Sequence, residues 1–172
     1  RLAKEGYRVL IPDVYKGEVG ADAEEAHHLM SSLDFSAAVG EIASAASYLR
    51  AEGSPRVGVV GFCMGGALAM GSLAASADIA CGAPFYGINF GLFEPSALAS
   101  KPVQAHFGME DKMEGFSDPA TAKKLEAERG LALVDQEITW HDEQRLRQGS
   151  EEANDEDQFP EVCHRRSNRR PC

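Results

Sequence analysis

The sequence is poor in cysteine, with four in 172 residues and no Cys-x-x-Cys pair. This usage speaks against a disulfide framework or a zinc site, and it favours a reducing compartment such as the cytoplasm. Basic residues are also scarce, 17 against 27 acidic ones, and the net charge of −10 argues against nucleic acid or an anionic membrane surface as a partner. Long apolar runs and a signal-peptide pattern are absent too, so we expect neither a membrane span nor secretion.

A strand, a tight turn and a helix are predicted around Cys63. An apolar run at 57–60 leads into the hexapeptide 61–66, Gly-Phe-Cys-Met-Gly-Gly, and small and apolar residues at 67–75 predict a helix. This is the layout of a nucleophile elbow, in which Gly61 and Gly65 would permit a strained turn with close backbone contacts. A nucleophile there stands at a helix N-terminus, which favours negative charge. The alternatives are a buried cysteine and a phosphate-binding turn, although the Rossmann and Walker patterns are not matched.

Predicted strands and helices alternate along most of the chain. The strands are expected at 7–11, 57–60, 79–85, 102–107 and 133–140, and the helices at 22–30, 34–53, 67–75 and 118–129. This alternation is typical of a doubly wound α/β domain with a mostly parallel sheet and helices on both faces. Cys63, Tyr86 and Asp111 each follow a strand, so we expect them at the carboxyl edge of the sheet, where sites of such folds lie.

The composition changes near residue 144. An acidic block at 151–161 precedes four arginines at 165–170, and bulky apolar residues are almost missing there. Such a stretch cannot bury enough surface to offset its ordering entropy. We therefore predict one α/β domain over residues 1–141 and a charged, disordered tail over residues 142–172.

Four segments, taken in order, carry a family resemblance. They are Gly6–Tyr15, Val57–Gly66, Phe85–Gly87 and Lys101–Asp111. Together they resemble the dienelactone hydrolase family of α/β-hydrolases, and the cysteine elbow followed by Met-Gly-Gly is quite specific to that family. The resemblance implies an α/β-hydrolase-type fold whose first strands would precede residue 1.

The resemblance also implies a function. The implied function is that of a Cys-His-Asp hydrolase, which opens enol-lactones or related small esters without a metal or organic cofactor. The type activity of the family is carboxymethylenebutenolidase. Cys63 would be the nucleophile, Asp111 would orient a histidine, and the Met64 backbone N–H would be one oxyanion-hole donor. Tyr15 and Tyr86 would contact the small-molecule substrate.

Two features depart from the family pattern. Lys16 and Gly17 stand where the family usually has an arginine that binds a substrate carboxylate. The family's Gly-His-x-Phe turn after the last strand is also missing. His141 is the best substitute, because it falls at the end of the last predicted strand, whereas His106 within a strand is expected to be structural.

Two other function classes stay open. One is a catalytically degenerate module that keeps the fold for binding or scaffolding, and the other is a thiol-dependent redox protein using Cys63. A histidine within hydrogen-bond reach of both Cys63 and Asp111 would favour the enzyme. The redox reading needs Cys81 close to Cys63 as a resolving thiol.

Overall fold

The computed structural model describes residues 1–128 and 136–141. The strands are β1 (Val57–Phe62), β2 (Ile79–Phe85), β3 (Val103–Gly108) and β4 (Gln136–His141), and the α-helices are α1 (Ala23–Ser32), α2 (Phe35–Ala51), α3 (Met64–Ala75) and α4 (Pro119–Glu128). Short 3-10 helices lie at Leu2–Glu5 and Pro95–Leu98. The expected alternation of strands and helices is confirmed from β1 onward. The tail predicted at 142–172 lies outside the described residues.

All four strands are parallel and lie side by side in sequence order. Phe62 pairs with Phe85, Phe85 with His106, and His106 with Thr139. Because every strand runs in the same direction, all four carboxyl ends meet at one edge of the sheet. The predicted parallel α/β sheet is therefore confirmed.

Helix α2 begins where its sequence predicts. The Asp34 carboxylate accepts a hydrogen bond from the Ala37 N–H at 2.9 Å, which satisfies one of the free N–H groups of the first turn. The buried residues Ala38 and Val39 then pack with Leu68 of α3. The two helices approach closely, since a Cβ on Gly71 would lie 2.8 Å from Val39 Cγ2.

Helix α3 is the central helix of the fold. Residues 66–73 are all buried, because the helix lies between α2 and strands β1 and β2. An apolar sequence on every side is what such a helix requires. Its carboxyl end is held by the Lys101 ammonium, which donates to the carbonyl oxygens of Leu73 and Ser76.

One hydrophobic core joins the sheet to its helices. Met70 and Leu73 of α3, Ala46 of α2 and Leu125 of α4 share this core with alternate residues of β3. Since alternate strand residues point to opposite faces, α2, α3 and α4 pack on the same face of the sheet. The other face carries a row of stacked rings in which Phe62 lies 4.7 Å from Phe85, and Phe85 lies 4.1 Å from His106.

The strand predicted at 7–11 is wrong. These residues form no strand, and Ile11 is 87% exposed. A strand is stable only when a neighbour completes its backbone hydrogen bonds, and β1 pairs with β2 alone among the described residues. The last strand is confirmed at 136–141, while 133–135 lie outside the described residues.

None of the described helices combines the length and hydrophobicity that crossing a membrane would need.

Candidate active site

Cys63 stands at the sharp turn between β1 and α3. Its backbone angles are φ 54° and ψ −122°, a left-handed conformation that is strained for a residue with a side chain. Three bonds hold the turn: the Cys63 N–H donates to Phe85 O at 3.0 Å, and the Cys63 carbonyl accepts from Gly66 N–H at 2.8 Å and from Ala67 N–H at 3.3 Å. The thiol is exposed and free. Cys63 thus combines a strained backbone with an accessible thiol at the start of a buried helix.

Three glycines allow this turn to form. A Cβ on Gly61 would lie 1.9 Å from Gly65 O, one on Gly66 would lie 2.9 Å from Phe85 O, and one on Gly87 would lie 2.0 Å from Cys63 O. The prediction that Gly61 is required is confirmed. The same prediction for Gly65 is wrong, because in the described part of the chain no atom outside its own stretch of helix lies within 4 Å of its added Cβ. Gly66 and Gly87 are the residues that the sequence analysis missed, although both occur in segments that it had singled out.

The Met64 N–H is the predicted oxyanion donor, and its position at the start of α3 is known. Met64 is the first residue of α3, and the first N–H groups of a helix have no acceptor within the helix. Its N–H therefore belongs to the positive end of the helix dipole, one residue from the Cys63 thiol.

The loop carrying Tyr15 packs against this turn. The Tyr15 hydroxyl donates to Met64 Sδ at 3.5 Å. The Asp13 carboxylate shapes the loop, since it accepts from Tyr15 N–H at 3.1 Å and from Gly17 N–H at 2.7 Å. The structure thus brings the predicted substrate-binding residue Tyr15 to the residue that follows Cys63.

Tyr86 follows β2, the strand beside β1. It has a positive φ of 39°, and its N–H donates to His106 O at 2.8 Å. The residue is 44% exposed. Strained residues at the ends of two adjacent strands are a common property of functional sites, and Cys63 and Tyr86 form such a pair.

Asp111 lies three residues past the end of β3. Its Oδ1 accepts from Met113 N–H at 3.0 Å, which is the pattern of an Asx-turn. The residue is half-buried. It is at the expected edge of the sheet, two strands from β1.

His141 ends β4, where its backbone pairs with Gly108 of β3. It is at the same edge as Cys63, but β1 and β4 are separated by three strand spacings, about 14 Å. The backbone placement therefore does not bring His141 next to Cys63. His106 is buried against Phe85, in agreement with the structural role expected for it.

Neither a second thiol near Cys63 nor a metal site is present among the described residues. Cys81 pairs with Gly58 in the sheet, five residues before Cys63, a separation of about 16 Å along the strand. This distance argues against a resolving thiol. Within the described ranges, no group of three or more histidine, cysteine, aspartate or glutamate side chains is arranged to hold a metal ion.

Comparison with known proteins supplies the family. The family model of the dienelactone hydrolases matches residues 1–146. The chain belongs to the dienelactone hydrolase family. Its fold is accordingly that of the α/β-hydrolases, as the resemblance implied.

Curated and solved relatives agree with this family. The chain is 27% identical to a carboxymethylenebutenolidase of Pseudomonas putida over 154 residues, covering 83% of this chain and 63% of that protein. It is 32% identical to carboxymethylenebutenolidase 1 of Cupriavidus pinatubonensis over 124 residues, covering 64% of this chain and 52% of that protein. A crystal structure from Klebsiella pneumoniae, classed with the dienelactone hydrolases, matches with a TM-score of 0.65 at 20% identity, covering 83% of this chain and 65% of that one. This dienelactone hydrolase family member thus spans less than two thirds of the length of these relatives.

Proposed function

We propose that this dienelactone hydrolase family member is a carboxylic ester hydrolase that cleaves an enol-lactone or a related small ester, with Cys63 as nucleophile. The observation that carries the proposal is the exposed Cys63 thiol, held at a φ of 54° at the N-terminus of α3. A strained backbone at an accessible nucleophile is an arrangement that folding alone does not favour. The curated relatives named carboxymethylenebutenolidase support the substrate class.

The proposed reaction uses the turn directly. The Cys63 thiolate attacks the acyl carbon, and the electron pair of the carbonyl moves to its oxygen, which the Met64 N–H and the helix N-terminus stabilise. Collapse of this intermediate expels the alcohol or enol oxygen, which takes up the proton that the Cys63 thiol gave up on forming the thiolate. Water then hydrolyses the acyl-enzyme and regenerates the thiol.

Proton transfer is proposed to involve His141, oriented by Asp111. Both residues lie at the carboxyl edge of the sheet with Cys63. A thiol and an imidazole must come within about 3 Å to share a proton. Since β1 and β4 are about 14 Å apart, this role requires the His141 and Cys63 side chains to approach each other across the edge of the sheet. Tyr15 and Tyr86 are proposed to border the substrate, and the reaction needs no cofactor.

That spacing also favours a second candidate function. If the pairing of His141 with Gly108 holds its imidazole away from Cys63, the triad is incomplete. The domain would then be a degenerate hydrolase module that keeps the fold and the elbow for binding.

Turnover of 4-nitrophenyl acetate and of dienelactone separates the two. We expect hydrolysis by the wild type, loss of activity in Cys63→Ala, and a fall of about 10²-fold or more in kcat for His141→Ala. Full activity in His141→Ala would remove His141 from the mechanism while leaving Cys63 in place. Equal, background rates for the wild type and Cys63→Ala would favour the degenerate module.

A further inference from the structure

The first turn of α3 is weakly held by its own sequence. Gly65 and Gly66 follow Met64, and glycine is among the weakest helix formers. Within the described part of the chain, the Cys63 side chain makes no capping hydrogen bond to this turn, although such a bond commonly fixes the N-terminus of a helix. The position of the Met64 N–H therefore depends also on the contacts that the Met64 side chain makes.

The Met64 side chain makes two kinds of contact. It packs against the buried apolar residues Ala38, Val39 and Leu68, and its sulfur accepts a hydrogen bond from the Tyr15 hydroxyl at 3.5 Å. A methionine side chain is unbranched and has three rotatable bonds, so apolar packing alone leaves it several arrangements. The hydrogen bond has a direction, and it selects one of them.

The loop that carries Tyr15 is fixed on both sides of this residue. Before it, Val14 packs against the same apolar residues as Met64, and the Asp13 carboxylate accepts from the Tyr15 N–H at 3.1 Å. After it, Lys16 Nζ lies 3.2 Å from Glu41 Oε1 on α2. The Tyr15 hydroxyl is therefore a fixed donor, and a fixed donor can position the flexible side chain that it contacts.

We propose that Tyr15 is a positioning residue for the oxyanion donor. Its hydroxyl holds the Met64 side chain, and through it the Met64 N–H that stabilises the negative oxygen formed during ester cleavage. This inference rests on the proposed ester hydrolysis at Cys63. An oxyanion donor is effective only within about 2.7–3.1 Å of that oxygen, so a small displacement of the first turn weakens it. Loss of one hydrogen bond corresponds to a factor of about two to ten in rate.

Two reagents separate the oxyanion donor from the thiol. 4-Nitrophenyl acetate transfers its acetyl group to the Cys63 sulfur with loss of 4-nitrophenolate, through an intermediate that carries an oxyanion. Iodoacetamide transfers its carbamoylmethyl group to the same sulfur with loss of iodide, and no oxyanion forms. Both reactions consume the thiolate, whose proton has passed to the buffer, so the ratio of the acylation rate to the alkylation rate reports the oxyanion donor alone. Release of 4-nitrophenolate in excess of that by Cys63→Ala measures acylation, and mass spectrometry of the Cys63 peptide measures alkylation.

A double-mutant cycle tests whether the hydroxyl acts through the sulfur. Tyr15→Phe should lower the rate ratio by about fivefold and leave the alkylation rate at the wild-type value. Met64→Leu removes the sulfur and keeps the backbone N–H, so it should lower the ratio by a similar factor, and Tyr15→Phe should have no further effect in that variant. Tyr48→Phe is the matched control. It removes an exposed hydroxyl group from α2, ten residues and about 15 Å beyond Ala38 along the helix axis, and should leave the ratio unchanged.

Three results would overturn the positioning role. An equal fall of both rates in Tyr15→Phe would mean that the hydroxyl serves the thiol or the fold, and an effect that persists in Met64→Leu would mean that it acts on the substrate directly. Either result leaves the ester hydrolase intact. A wild-type ratio no greater than that of N-acetylcysteine would show that no oxyanion donor operates. If the coupled changes are seen but water never releases the acyl group, the proposed hydrolase fails while positioning by Tyr15 stands.

Discussion

Replacing Gly61 or Gly65 by alanine should change stability in opposite directions, although the two residues are only four positions apart. A Cβ on Gly61 would lie 1.9 Å from Gly65 O and 2.3 Å from Gly65 C. Ordinary contacts are about 3.5 Å, so either β1 or the first turn of α3 must move by more than 1 Å. The obstructing atoms are backbone, which cannot rotate away as a side chain can.

The expected magnitudes follow from this contrast. Overpacking a well-packed site costs about 1–3 kcal/mol, and Gly61→Ala belongs at or above the upper end because a backbone must shift. Gly65→Ala adds a methyl in α3 where no other described residue lies within 4 Å. It should stabilise the fold by about 0.5–1 kcal/mol, since glycine weakens a helix relative to alanine by that amount.

Urea unfolding measures both effects as shifts of the midpoint at constant slope. The rate of Cys63 alkylation by iodoacetamide gives a second readout, which should change in Gly61→Ala and stay at the wild-type value in Gly65→Ala. If Gly65→Ala destabilises as much as Gly61→Ala, the description of the turn is wrong. The same conclusion follows if Gly61→Ala is neutral.

Three further predictions concern stability. The pKa of Asp118 lies below its ordinary value of 3.8, because the Thr121 hydroxyl and then backbone N–H groups donate to its carboxylate. A lowered folded-state pKa stabilises the protein above 3.8 and loses that effect as the pH falls below it, so Asp118→Asn should be destabilising at pH 7 and progressively less so toward pH 2 in urea titrations. Lys101→Met removes a cation from the Leu73 and Ser76 carbonyls at the end of α3, and we expect a loss of about 1–2 kcal/mol by urea unfolding. The isolated 172-residue chain should unfold at low temperature or aggregate because, within the described residues, β1 pairs on one side only, and a cooperative melt at high temperature would contradict this.

The elbow could be predicted because its determinants are local. The apolar run before Gly61, the small residues after Cys63 and the helical pattern that follows all lie within twenty residues. The start of α2 at Asp34 is predictable for the same reason, since a cap acts on the next three residues.

The features that the sequence analysis missed depend on distant parts of the chain. Gly87 is required because its backbone meets the Cys63 carbonyl, 24 positions earlier. The pairing of Lys16 with Glu41 joins a loop to a helix. The absent strand at 7–11 is the reverse case, in which the local pattern was favourable but no described strand pairs with these residues.

The row of rings formed by Phe62, Phe85 and His106 has a consequence for how the site could change. Each strand projects alternate residues to opposite faces, so a slip of one residue between β1 and β2 would move Phe62 out of the row. Cys63 comes immediately after Phe62, and Tyr86 comes immediately after Phe85. The stacking of the rings therefore fixes the register of the strands, and with it how far Cys63 and Tyr86 extend beyond the sheet. A single residue inserted into β1 before Phe62 would displace the nucleophile relative to Tyr86.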